Sequence, residues 1–158
     1  MGPATAMNLG RLLTQTARRL PGHTALVWGE RRWSWAELDA RVDRLCAALR
    51  ARGIGKGDRV LVHSRNSNAI FESQWACFKL GAAWVPTNFR LTPPEVAYLA
   101  ATSRARAMLR DHGFAAHADA VREAGPWCEF VLAVDDAREG EVEYESALAA
   151  ATPPPPDH

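Results

Sequence analysis

Three glycines surround a lysine in the stretch GIGKGDRV, Gly53 to Val60, a spelling that suits a backbone cradle for phosphate. Such a cradle must leave a strand and open a helix, so that the helix N-terminus faces the anion. Here the loop follows a helical pattern and enters the apolar, β-branched run RVLVHS, which is the reverse order. The stretch is expected to be a connector, with Lys56 a solvated loop charge. His63-Ser64 sets a base beside a nucleophile, but neighbours on a strand point to opposite faces, and no G-x-S-x-G turn surrounds the serine. His23, His112 and His117 lack metal-ligand spacing, and Cys46, Cys77 and Cys128 lie far apart with no CxxC, so no metal site is expected. Arg90 is different: it falls in a loop at the end of a predicted strand, where a guanidinium can meet a phosphate or a carboxylate. Pairing with a nearby carboxylate, or with solvent alone, is the plainer alternative.

These residues need a scaffold, and the composition allows one. The chain has 158 residues, 47% apolar and 23% charged, with a net charge of +1. That is ordinary for one globular domain and predicts no polyanionic partner. Only Lys56 and Lys79 are lysines, and the arginines are scattered among carboxylates, so nucleic-acid binding is not expected. No run approaches the roughly 18 apolar residues that span a bilayer, and the N-terminus lacks a signal-peptide pattern. Three cysteines without pairing logic fit a reducing, cytoplasmic setting.

The periodicity predicts helices and strands in alternation. In NLGRLLTQTARRLPG, Leu9, Leu12, Leu13, Thr16 and Leu20 share a helical face that Pro21-Gly22 ends. TALVWGERRWSW reads as a hairpin about Gly29-Glu30, a pair suited to a type II′ turn. Ser34 and Glu37 form a capping box, so a helix begins at Trp35 and stops at Gly53. Its apolar positions are Trp35, Leu38, Val42, Leu45 and Leu49, and Glu37, Arg41, Asp43 and Arg44 are placed on the wet side. The strand RVLVHS, the apolar helix AIFESQWACFKLG, the strand AAWVPTN and a second capped helix, Thr92 and Glu95 around Pro93-Pro94, follow. Trp33, Trp35, Trp75 and Trp84 fit this periodicity as core residues. RAMLRD, FAAHADAVREAG and EFVLAV continue the pattern as strand, helix and strand.

The expected fold is α/β, doubly wound, a mainly parallel sheet with helices on both faces plus a short N-terminal hairpin. Residues 1–6 are expected to be a disordered leader, 7–134 the α/β lobe, and 135–158 an acidic, then proline-rich, surface segment or linker. Ligands in such folds bind beyond the carboxyl ends of the strands. Those ends carry Ser64, Arg65, Asn66 and Asn68, then Thr87, Asn88 and Arg90, then Arg110 and Asp111.

The run CFKLGAAWVPTNFRLTPPEVAYLAATSRARAML, with the earlier ALVWGERRWSWAELDARVDRLCAALRARGIGKGDRVLV, resembles the N-terminal part of the AMP-forming adenylating enzymes. The shared features are a K-x-G-A segment, a V-P strand, an N-x-R-L turn, a T-P-x-E helix start and a G-x-x-x-G-D-R-V connector. VPTNFRLTPPE is closer in wording to acid–CoA ligases than to peptide-synthetase domains. The resemblance implies the first lobe of the large N-terminal domain of an acyl-CoA synthetase, acting on a fatty or other hydrophobic carboxylic acid with ATP, Mg and CoA. It also implies that the phosphate loop, the ribose-binding aspartate and the C-terminal catalytic lysine lie beyond His158, so the chain is expected to be an inactive fragment that binds no cofactor tightly. It implies no catalytic residue and no metal ligand here, with Arg90 as a contact to the CoA phosphates. The missing remainder of the domain is the expected partner, and a homodimer is left open. A stand-alone, non-enzymatic module that binds CoA or acyl groups, or another protein, is the alternative.

Overall fold

Local rules set the first half of the architecture. In the computed structural model, which describes residues 8–153, the Ser34 backbone N–H donates to the Glu37 carboxylate at 2.7 Å, and the Glu37 N–H donates back to the Ser34 hydroxyl at 3.2 Å. This capping box starts helix α2, Trp35–Arg50. After α2 the Gly53 N–H reaches the Arg50 carbonyl and the Ile54 N–H reaches Leu49. Gly53 takes φ 86° there, the left-handed closure that favours glycine. Before α2, strands β1, Thr24–Trp28, and β2, Arg31–Ser34, pair antiparallel. Of the two turn residues only Gly29 has positive φ, 59°, consistent with the type II′ turn.

The remaining elements are helix α1, Gly10–Arg19; strand β3, Arg59–His63; helix α3, Asn68–Leu80; strand β4, Ala83–Pro86; helix α4, Pro93–Ser103; strand β5, Ala107–Arg110; helix α5, Ala115–Glu123; strand β6, Phe130–Ala133; strand β7, Val142–Glu143; and helix α6, Tyr144–Ala150. Strands β3 to β7 form one sheet in the order β4-β3-β5-β6-β7, every pair parallel. Alternate side chains feed two cores. Val60, Val62, Leu109 and Leu132 pack with residues of α1, α2, α3 and α6, while Leu61, Met108 and Val131 pack with α4 and α5. The sheet is thus covered on both faces, as the doubly wound reading requires.

The structure departs from the sequence reading in three places. Helix α1 forms, but its buried residues are Gly10, Leu13 and Ala17, while Leu9 and Leu12 are 45% and 52% exposed. Gly10 explains the rotation: a Cβ there would lie 2.6 Å from the Lys79 backbone, so a bare glycine lets α1 press against α3. Arg41 is not on a wet side; it chelates Glu72 on α3 and Glu145 on α6. Residues 135–153 are not an excursion or linker, because they supply β7, α6 and the fully buried Tyr144. The expected leader and the proline-rich end from 154 onward lie outside the described residues.

Candidate functional site

Connections from adjacent strands diverge at the carboxyl end of β3. The chain leaves β3 for α3 in one layer and leaves β4 and β5 for α4 and α5 in the other. Such a switch point leaves a crevice between the loops, where open α/β sheets bind ligands. The side chains that meet there come from distant parts of the chain.

His63, the last residue of β3, follows Leu61 by two positions and so faces the α4–α5 layer. Its ring stacks on His117 of α5, with centroids 4.3 Å apart, and meets Phe114 edge-on at 4.4 Å. His63 Nδ1 lies 2.7 Å from the Thr87 hydroxyl oxygen, and that hydroxyl lies 3.1 Å from the Val62 carbonyl. A carbonyl only accepts, so Thr87 donates to Val62, and His63 Nδ1–H donates to Thr87. His117 Nε2 lies 2.9 Å from the Leu91 carbonyl and by the same rule carries the proton. The opposite nitrogens, His63 Nε2 and His117 Nδ1, are buried with no partner among the described residues. Burial, and then the neighbouring His117, push the His63 pKa down to about 4, so the ring is neutral at physiological pH.

The turn between β4 and α4 projects Arg90. Asn88 shapes it: the Arg90 N–H donates to the Asn88 side-chain oxygen at 3.0 Å, and the Leu91 N–H donates to the Asn88 carbonyl at 3.0 Å. Thr92 then caps α4, its backbone N–H donating to Glu95 at 2.7 Å. Arg90 itself is exposed and lies over the Phe89 ring at 5.3 Å, a cation–π contact. Among the described residues no carboxylate pairs with it. Beside the turn is an open apolar hollow of about 400 Å³ lined by Leu91, Pro94, Glu95, Tyr98 and Leu99. An unpaired guanidinium next to apolar surface suits an amphipathic anion.

Ser64, Arg65, Asn68, Arg110 and Asp111 are already committed. Ser64 donates to its neighbour's carbonyl, Arg65 pairs with Asp111 at 3.0 Å, and Asn68 donates to Glu72. Arg110, fully buried, is taken by Asp136 and Glu141. The β4–α4 turn carries Thr87, Asn88 and Arg90, whereas Arg110 and Asp111 are taken up in ion pairs. His63 and His117 are the members that sequence reasoning missed; the serine beside His63 drew attention away from Thr87, its actual partner.

GIGKGDRV is a connector, as its order of elements indicated. The Gly55 N–H donates to the Asp58 carboxylate at 2.8 Å and the Gly57 N–H to the Gly81 carbonyl at 2.9 Å, so these amides are not free for an anion. Lys56 is exposed, and Lys79 lies 2.6 Å from both Asp39 and Asp43. Among the described residues no group of three His, Cys, Asp or Glu could hold a metal ion. No helix among them is long and apolar enough to cross a membrane.

The fold is an open, doubly wound α/β lobe. Residues 13–158 match the AMP-binding enzyme family, and the chain belongs to it. It is 29% identical over 154 residues, 94% of this chain, to a 3-oxocholest-4-en-26-oate–CoA ligase of Rhodococcus rhodochrous, and 34% identical over 142 residues, 90% of this chain, to an indoleacetate–CoA ligase of Aromatoleum aromaticum. The chain spans 28% of the length of each. A feruloyl-CoA synthase of an Amycolatopsis species is 41% identical over 101 residues, 64% of this chain and 21% of that protein. Among solved structures, the N-terminal domain of FACL13 from Mycobacterium tuberculosis superposes with a TM-score of 0.83 at 29% identity, covering 96% of this chain and 37% of that one. An anthranilate CoA ligase shares the fold, with a TM-score of 0.88 at 22% identity, over 94% of this chain and 29% of that one.

Proposed function

We propose that this chain is the N-terminal lobe of an AMP-forming acid–CoA ligase whose acid is hydrophobic, fatty or ring-bearing. The relatives act, by their names, on 3-oxocholest-4-en-26-oate, indoleacetate and ferulate, which supports an apolar acid. In the reaction a carboxylate oxygen attacks the α-phosphorus of ATP and expels pyrophosphate. The CoA thiol sulfur then attacks the acyl carbon, loses its proton and expels AMP.

Within this scheme the lobe binds and does not catalyse, and Arg90 meets the phosphates of the CoA nucleotide. The observation that carries this reading is the Arg90 guanidinium, exposed on a hydrogen-bonded turn with no carboxylate partner among the described residues. A preorganised cation of this kind contributes affinity for an anion without first breaking an ion pair.

Residues 1–158 alone do not form adenylate in this reading. Stabilising the transferring phosphoryl group needs cations aimed at it, and both lysines are elsewhere, Lys79 held by two aspartates and Lys56 on the connector into β3. Pyrophosphate exchange with a panel of fatty, aromatic and sterol acids tests this: no exchange is expected from the chain alone. Robust exchange would overturn the assignment of a non-catalytic lobe.

A further inference from the structure

The turn that carries Arg90 is tied at both ends by one pair of stacked rings, and at Thr87 also by hydrogen bonds from its N–H and hydroxyl to the Val62 carbonyl. Thr87, at the start, receives a hydrogen bond from His63 Nδ1–H at 2.7 Å. Leu91, at the end, accepts one on its carbonyl from His117 Nε2–H at 2.9 Å. The two imidazoles stack on each other at 4.3 Å with planes 26° apart, and Phe114 closes on both edge-on, at 4.4 and 5.1 Å. The fastening is selective in chemistry. Each ring spends its single N–H on the turn and leaves its bare nitrogen buried without a partner among the described residues, a cost that an apolar side chain of similar size would avoid. Buried polar atoms left unsatisfied are uncommon and call for a compensating role. Simple core packing does not need two such rings stacked on each other.

We propose that His63 and His117 are positioning residues, a stacked pair that clamps both ends of the 87–91 turn and so holds the Arg90 guanidinium in place for its anion. This rests on the reading of Arg90 as the CoA phosphate contact. Neither ring touches the ligand in this account; both act through the turn. Between the two anchors, the Asn88 hydrogen bonds to Arg90 and Leu91 are the only ones among the described residues that shape the backbone. A turn with so few internal bonds opens locally unless its ends are tied.

The test uses residue-level amide hydrogen exchange on the full chain, with variants graded by which hydrogen bond they keep. His117→Leu keeps bulk and loses the donor, while His117→Gln keeps an N–H near the Nε2 position. His63→Asn likewise keeps a donor near Nδ1, and His63→Leu does not. The clamp predicts that each leucine variant speeds exchange at Arg90 and Leu91 by about tenfold, the loss of one buried hydrogen bond, with β5 and β6 unaffected. The amide variants should stay within about threefold of the parent. Should a leucine variant loosen β5 and β6 as much as the turn, or should leucine and amide variants exchange alike, the clamp is wrong. If a leucine variant does not fold, the amide variants still decide: exchange at the turn faster than about tenfold in either overturns the proposal. CoA titration of Arg90→Ala in the proposed longer ligase separates the two readings. Unchanged CoA affinity there refutes the Arg90 contact, whereas the exchange pattern judges the clamp.

Discussion

Arg110 and Glu141 form an ion pair in which neither side chain has any exposed surface. Asp136 holds the same guanidinium from another side, and Arg138 donates to the same carboxylate. The pair ties the end of β5 to the β7–α6 unit. A buried charge deprived of its partner keeps its desolvation cost and loses its compensation. Glu141→Ala should therefore lower the unfolding free energy by about 3–5 kcal/mol, measured by urea denaturation. Replacing both partners, Arg110→Met with Glu141→Leu, should recover most of that loss.

A second network fixes α2 against α3 and α6. Glu72, fully buried, accepts from Arg41 at 2.7 Å, from Tyr144 at 2.6 Å and from Asn68 at 3.1 Å. Burial works against the charge on Arg41, but its hydrogen bonds to Glu145 and Glu72 outweigh that and raise its pKa. Arg41→Ala should cost about 3–5 kcal/mol, while Arg44→Ala, on the exposed side of the same helix, should stay within about 0.5 kcal/mol. Thermal or urea unfolding of the two variants checks the contrast.

These networks mark the boundary of what the sequence discloses. Both capping boxes, Ser34 with Glu37 and Thr92 with Glu95, were legible because their partners sit three residues apart and answer to local backbone rules. The strand–helix alternation was legible for the same reason, and the comparisons bear out the resemblance it supported. The residues after 134 were misread because their charges look solvated when weighed by composition. Their partners, Arg110 for Glu141 and Arg41 for Glu145, are far away in the chain, and only the fold pairs them. Arg90 was visible in its turn; the histidines that hold the turn were not, since His63 and His117 share no spacing and meet only through the sheet.

Stability should fall with acid in two steps. His63, pushed down to about 4 by burial and His117, is neutral in the native state where the unfolded chain, near 6.5, already takes a proton. Its contribution is complete above pH 6.5 and declines by about 3 kcal/mol as pH falls to 4. For Glu141, burial opposes the charge, but hydrogen bonds from Arg110 and Arg138 prevail and hold it at about 2. Its contribution is complete above about pH 4.5 and is lost as pH falls through 2. Urea unfolding across pH 7 to 4 should show the first step, and His63→Asn should remove it.

The connector makes a sharper distinction than its spelling. Gly57 holds φ 86°, a conformation an L side chain enters only with strain, so Gly57→Ala should cost about 1–2 kcal/mol. Lys56→Ala should change stability by less than about 0.5 kcal/mol. A phosphate-binding lysine would instead lose nucleotide affinity on that change, which a nucleotide titration of the proposed longer ligase would reveal; no loss is expected.

The central claim is that this lobe serves a CoA ligase through Arg90. The most direct measurement is steady-state thioester formation by the proposed longer ligase, run beside its pyrophosphate exchange, for Arg90→Ala against the parent. A lost charge-assisted contact to phosphate should raise KM for CoA by about tenfold or more, with acid-dependent pyrophosphate exchange unchanged. An unchanged KM for CoA, or an equal fall in pyrophosphate exchange, would contradict the account.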